Sequence, residues 1–148
     1  MPGAYCQGPR SPSTVVEDTS FGSVSWTNPS NATAADGNLA TSAVGNYDGF
    51  YDCSARLVKG GTVQGEDKPG GLYPDPAAYE TYGSSSSLWG ISWTAADINA
   101  SDFGFVLSVG GFINKGVPTV CSYYLKATDF GFTIPSGAFI TGITVEAK

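Results

Sequence analysis

The groups in this chain that could do chemistry are nearly all carboxylates. Asp and Glu number 13 against 7 Lys and Arg, and there is no histidine. Without histidine the usual general base near neutral pH is missing, so Ser-His-Asp and Cys-His schemes are excluded and metal sites lose their commonest ligand. What remains is glycosidic cleavage by two facing carboxylates, for which Asp36, Asp48, Asp52, Glu66, Asp67, Asp97 and Asp102 are formally eligible. No spacing in the sequence sets two of them at a working separation. Calcium binding by Glu66 with Asp67, or by Asp48 with Asp52, would need the Asp-x-Asp/Asn pattern with a distal glutamate, which is absent. These acids read as solvated turn residues, and no catalytic residue, metal or cofactor is expected.

The tetrapeptide Asp-Phe-Gly-Phe occurs at Asp102–Phe105 and again at Asp129–Phe132. In protein kinases an Asp-Phe-Gly aspartate holds magnesium, but the glycine-rich loop, strand lysine and catalytic loop that accompany it are missing. On a pleated strand both rings of each copy would point to one face while the glycine leaves the other bare or marks a bulge. Two paired core strands are therefore expected, with Asp102 and Asp129 at their entrances.

Cys6, Cys53 and Cys121 are too few for a disulfide framework, and no Cys-x-x-Cys spacing supports zinc. They are read as buried or idle thiols acting as small hydrophobes. The alternative is a Cys53–Cys121 bridge, since each precedes a serine in an apolar strand-like run; it requires those strands to be adjacent.

The elements that must position these groups follow from composition. At 148 residues, with 20 glycines, 9 prolines and an apolar fraction of 41%, the chain suits one domain of strands joined by tight turns. A net charge of −6 and a pI near 4.3 argue against a nucleic-acid surface. No apolar run is long enough to span a membrane, and the first residues lack the basic and apolar regions of a signal peptide, so a soluble protein made in the cytoplasm is expected.

Residues 1–20 carry Pro2, Pro9 and Pro12 and read as an extended N-terminal arm. Residues 21–148 form the expected domain. Strands are predicted for Phe21 to Trp26, Gly49 to Val58 with a Lys59-Gly60-Gly61 hairpin into Thr62 to Gln64, and Leu88 to Trp93. Further strands are predicted for Phe103 to Val109, Val120 to Lys126, Phe130 to Ile134 and Phe139 to Glu146. One helical turn is predicted near Ala95 to Asn99. Residues 65–87 read as a long loop, and such loops commonly bind something. The fold class is all-β, a single antiparallel sandwich of jelly-roll type.

Two blocks carry a resemblance. One is Trp26 to Gly37 with its echo from Tyr124-Leu-Lys to Val145-Glu146, and the other runs from Arg56-Leu-Val-Lys59 through Leu88-Trp-Gly-Ile-Ser-Trp93 to Phe105. Together they resemble β-sandwich virion proteins of tailed phages, of the decoration or cement type. In the family pattern the Tyr-Leu-Lys segment precedes the Arg-Leu-Val-Lys segment, whereas here it closes the chain. The order is that of a circular permutation with joins near Cys53-Ser54 and Cys121-Ser122. The resemblance implies a structural role and transfers no catalytic or ligand residue.

On that basis the chain is expected to bind the outside of a phage head and stabilise it as a homotrimer. The major capsid protein would be its partner, with no nucleic acid or membrane involved. Contact is assigned to Tyr5 and Arg10 on the arm and to Tyr73, Tyr79 and Tyr82 in the long loop, because tyrosines offer rigid amphipathic surface. The alternative is a carbohydrate-binding module of a tail fibre or baseplate, using Trp26, Trp89, Trp93 and the loop tyrosines. For the tryptophans, alternation with small residues favours core packing.

Overall fold

The longest strand grows from the run Gly49 to Lys59, whose alternate residues face opposite sides and which ends at a Gly60-Gly61 turn. A computed structural model describes residues 7–33, 40–44, 49–72, 78–112 and 120–148. Its strands, in chain order, are β1 (Thr14–Asp18), β2 (Trp26–Thr27), β3 (Thr41–Ser42), β4 (Gly49–Lys59), β5 (Thr62–Gln64), β6 (Glu80–Ser84), β7 (Gly104–Phe112), β8 (Val120–Cys121), β9 (Tyr124–Thr128) and β10 (Ile143–Ala147). A 3-10 helix (Pro29–Thr33) and one α-helical turn, α1 (Ala95–Asn99), complete the set.

β1, β9, β7, β4 and β5 lie side by side in that order, with β8 also paired to β7; every pairing is antiparallel. β6 pairs with β10 and β2 with β3 as separate two-stranded sheets. The architecture is all-β with antiparallel sheets, as expected.

Register decides what each face of the main sheet does. Leu57 lies opposite Phe105 and Ala55 opposite Leu107, so these four side chains share one face. They pack against Tyr82, Trp89, Trp93, Ile98 and Phe103, with Ile143 and Val145 of β10 at the margin. The β6–β10 pair and the α1 region thus cover that face. Val58, Val106 and Tyr124 occupy the opposite face with Phe21, whose ring stacks on Tyr124 at 5.0 Å. Buried hydroxyls sit beside them: Ser54 Oγ donates to Asp67 Oδ1 (3.0 Å) and accepts from the Tyr124 hydroxyl (2.8 Å), while Ser108 Oγ donates to the Ser122 carbonyl (2.6 Å). Each buried hydroxyl here has a partner, which is the condition for burying it without a large penalty.

Several expectations change. Within the expected arm, Thr14–Asp18 form β1, which pairs with β9 at the sheet edge and buries Val15. Phe21 to Trp26 is not a continuous strand; only a Val24 to Ser122 bridge and β2 form there. Leu88 to Trp93 is a series of turns, since Trp89 adopts a left-handed backbone (φ 57°) with its ring fully buried and its indole N–H on the Ile143 carbonyl (3.0 Å). The predicted loop at 65–87 contains β6. The helical turn is present and carries a complete capping box, in which Thr94 and Asp97 satisfy each other's backbone N–H groups.

The two Asp-Phe-Gly-Phe copies behave differently. Phe103 and Phe105 are buried, and β7 starts at Gly104, where any Cβ would collide with the Ala127 carbonyl and the Thr128 methyl on β9. The second copy is not a strand: Asp129 (φ 58°) and Gly131 (φ 64°) are both left-handed, which breaks the pleat. Its rings still reach the same core, half-buried and 6.1 Å (Phe130) and 6.0 Å (Phe132) from the ring of Phe103. The Asp129 N–H donates to the Ser101 carbonyl (3.0 Å), which ties one copy to the other.

Cys53 and Cys121 form a disulfide, so the idle-thiol reading fails for these two; Cys6 lies outside the described residues. β4 and β8 flank β7, and in a flat sheet they would be two strand spacings, roughly 9.6 Å, apart. The two Cα atoms are only 6.0 Å apart. A bulge at Cys53, where the register slips between Asp52 and Ser54, curls the sheet, and Gly110 opposite Cys121 leaves room on β7. The bridge closes a loop across a separation of 68 residues, worth about 4 kcal/mol on chain-entropy grounds. Reduction, or the Cys53→Ser, Cys121→Ser double variant, is expected to lower unfolding free energy by about that much in urea titrations, with an unchanged midpoint as the contrary result.

Candidate functional site

Three segments converge at the start of β4. Tyr51 bridges Leu72, the Asp52 N–H donates to the Gly71 carbonyl (3.1 Å), and the Gly70 N–H donates to Asp52 Oδ2 (2.8 Å). The Glu80 side chain at the start of β6 lies against the same glycine. Each segment carries an apolar side chain into solvent: Phe50 is 45% exposed, and Leu72 and Tyr79 are 59% exposed. The Lys148 ammonium sits 5.7 Å from the centre of the Tyr79 ring. A separate exposed aromatic, Phe139, lies before the other end of β10 at 88% exposure.

The residues expected to make contacts separate clearly. Tyr5 and Tyr73 lie outside the described residues, while Arg10 and Tyr79 are exposed. Tyr82 is a core residue, 1% exposed and 5.3 Å from the Phe105 ring, so its assignment as a surface contact is corrected. Period-two alternation on β6 turns it toward the main sheet. Trp89 and Trp93 are buried, each with its indole N–H on a backbone carbonyl. Trp26 is half-buried with its indole N–H on the Tyr123 carbonyl (2.7 Å).

Among the eligible carboxylates, Asp36 and Asp48 lie outside the described residues. Asp67 accepts from Ser54 Oγ and from the Ala55 N–H (2.8 Å), tying the 65–72 segment to β4. Glu66 pairs with Lys68 and Asp102 is exposed. Asp97 accepts the Thr94 N–H and hydroxyl and pairs with Lys59 at 3.0 Å. The backbone and hydroxyl bonds from Thr94, and then Lys59, hold its carboxyl below the usual 3.8. Asp18 is likewise lowered, first by its bonds from Ser20 and then by Lys126 at 3.1 Å. Asp52 is the exception to the reading of these acids as solvated turn residues: it sits inside β4 and is 4% exposed.

Among the described residues no three His, Cys, Asp or Glu side chains converge as a ready metal cluster, and no helix is long and apolar enough to cross a membrane. Sequence reasoning missed Phe50, Leu72 and Phe139 as surface side chains. Phe50 and Phe139 lie in runs that read as strands, and Leu72 follows two glycines with no periodicity to place it. No family model, curated protein or solved structure matches this chain.

Because Asp97 and Asp18 are lowered on folding, the charged form is favoured in the folded state. Their stabilisation is complete above the ordinary aspartate value and is lost as pH falls below 3.8 through the lowered folded values. Asp97→Asn should therefore lower Tm at about pH 6, and the gap to wild type should shrink as pH falls through the acid range below 3.8. Thermal melts across that range check it; a gap independent of pH would contradict the assignment.

Proposed function

We propose that this chain is a structural virion protein that decorates the outside of a tailed-phage head and stabilises it, acting as a symmetric oligomer, a trimer by preference, and not as an enzyme. The observation that carries the reading is the trio Phe50, Leu72 and Tyr79, exposed on three segments that converge at one end of the sheet. Exposed apolar side chains on converging segments fit a protein partner such as the major capsid protein, and closed symmetry would multiply weak individual contacts. The disulfide adds support, because such bonds persist on virion surfaces and are rare in the reducing cytosol where the chain would be made.

The resemblance to phage decoration proteins required a permuted segment order with joins at Cys53-Ser54 and Cys121-Ser122. A permutation is sterically simple when its joins are neighbours, and these are held 6.0 Å apart between Cα atoms. The carbohydrate-binding alternative is weakened by the burial of Trp89 and Trp93, which leaves neither ring free to stack on a sugar.

Undecorated capsids of the phage encoding this chain provide the test. Leu72→Ser combined with Tyr79→Ser should reduce capsid occupancy by about tenfold or more, the effect of losing aromatic and aliphatic anchors, while Tm stays within about 1 °C. Deleting residues 2–12 should reduce occupancy as well, if Tyr5 and Arg10 contribute. Wild-type binding curves for both variants, or symmetry-averaged maps placing the chain on the tail, would overturn the reading.

A further inference from the structure

We propose that Asp52 and Glu80 form a binding site for a hard divalent cation, calcium in preference to magnesium. Asp52 is 4% exposed, and only its Oδ2 has a hydrogen-bond partner, the Gly70 N–H at 2.8 Å. Its Oδ1 is buried with no partner among the described residues. A buried carboxylate oxygen is normally matched by donors or by a positive charge, since stripping it of water without replacement is costly.

Glu80 approaches the Oδ2 side of the same carboxylate from β6, across Gly70. A Cβ on Gly70 would stand 2.9 Å from Glu80 Oε1 and 3.1 Å from Asp52 Oδ2, so both carboxylates close over a residue that has no side chain. Two negative groups drawn this near repel one another unless something between them is positive. The described ion pairs take Lys59, Lys68 and Lys126 to Asp97, Glu66 and Asp18. Arg56 donates to the Gly65 carbonyl, and Lys148 lies over Tyr79. None of these cations is paired with Asp52 or Glu80.

The donor chemistry selects the metal. All-oxygen ligation suits calcium, whose six to eight ligands come from carboxylates, backbone carbonyls and water in a tolerant geometry. Magnesium demands a stricter octahedron, and zinc would look for imidazole or thiolate, whereas this chain has no histidine and Cys53 beside the site is bridged. Two carboxylates on separate segments fit the weak class, with a Kd of about 0.1–1 mM. The cation would fasten the 65–72 segment and β6 to β4.

The oxidised full-length chain, stripped with EGTA, serves for the test. About 5 mM calcium should raise Tm by about 3–5 °C, with a smaller shift for magnesium. Terbium should show emission sensitised by neighbouring tyrosines such as Tyr51 and Tyr79, and calcium should displace it. Glu80→Gln should fold, lose most of the calcium shift and weaken terbium binding by about tenfold or more. Asp52→Asn should lose the response too; should it fail to fold, Glu80→Gln alone decides. No calcium shift together with silent terbium would overturn the site, as would a wild-type response in Glu80→Gln. So would an Asp52→Asn variant with a higher Tm than wild type and no calcium response, which would assign Asp52 a buried proton.

Discussion

The antiparallel ladder between β4 and β7 runs from Gly49 opposite Phe112 to Val58 opposite Gly104, and the rest of the main sheet and the aromatic layer over it are built on that pair. One face supplies the floor of the aromatic core, and the other holds the buried hydroxyls and the Phe21–Tyr124 stack. A slip of β4 by one residue would turn its faces over, moving Leu57 among the hydroxyls and Ser54 among the aromatic rings while Phe105 stayed in place. The bulge at Cys53 is the one irregularity of this ladder, between the Gly49–Asp52 and Ser54–Val58 pairings. Core, disulfide and the exposed end near Phe50 are therefore consequences of a single register.

Much of this was legible in the chain. β4, its Gly60-Gly61 hairpin, β7 and the α1 turn follow directly from alternation, turn residues and the Thr94 cap. Two of the strands that failed share a cause: Leu88 to Trp93 and Phe130 to Ile134 alternate large and small residues as a strand does. Left-handed backbones at Trp89, Asp129 and Gly131 fold them back on themselves instead. Alternation reports that side chains take turns facing the core; it does not report that the backbone stays extended between them. Tyr82 failed because the composition around it is that of a loop and only pairing with β10 buries it, while Asp52 was read as a turn acid although it lies inside the predicted β4.

The repeated Asp-Phe-Gly-Phe shows how far local sequence reaches. In both copies the phenylalanines find one core, yet the glycine answers a different demand in each. At Gly104 the backbone is ordinary and the neighbouring strand comes too close for any side chain, whereas at Gly131 space is open and the left-handed backbone favours glycine. Identical residues thus satisfy one burial pattern through two conformations. The aspartates that suggested chemistry serve neither copy as ligands to the other; Asp129 instead holds the junction through its main chain, to Ser101 and to Ser13.

The Cys53–Cys121 bond also divides the chain into a covalent ring and two tails. β5, β6, α1 and β7 lie within the ring, while β1 and the last two strands, β9 and β10, lie outside it. A single backbone cut between the two cysteines leaves both pieces joined through sulfur, whereas a cut beyond either one can release a fragment. Under proteolysis the integrity of the oxidised chain is set less by how many peptide bonds are severed than by which side of the bridge they are on.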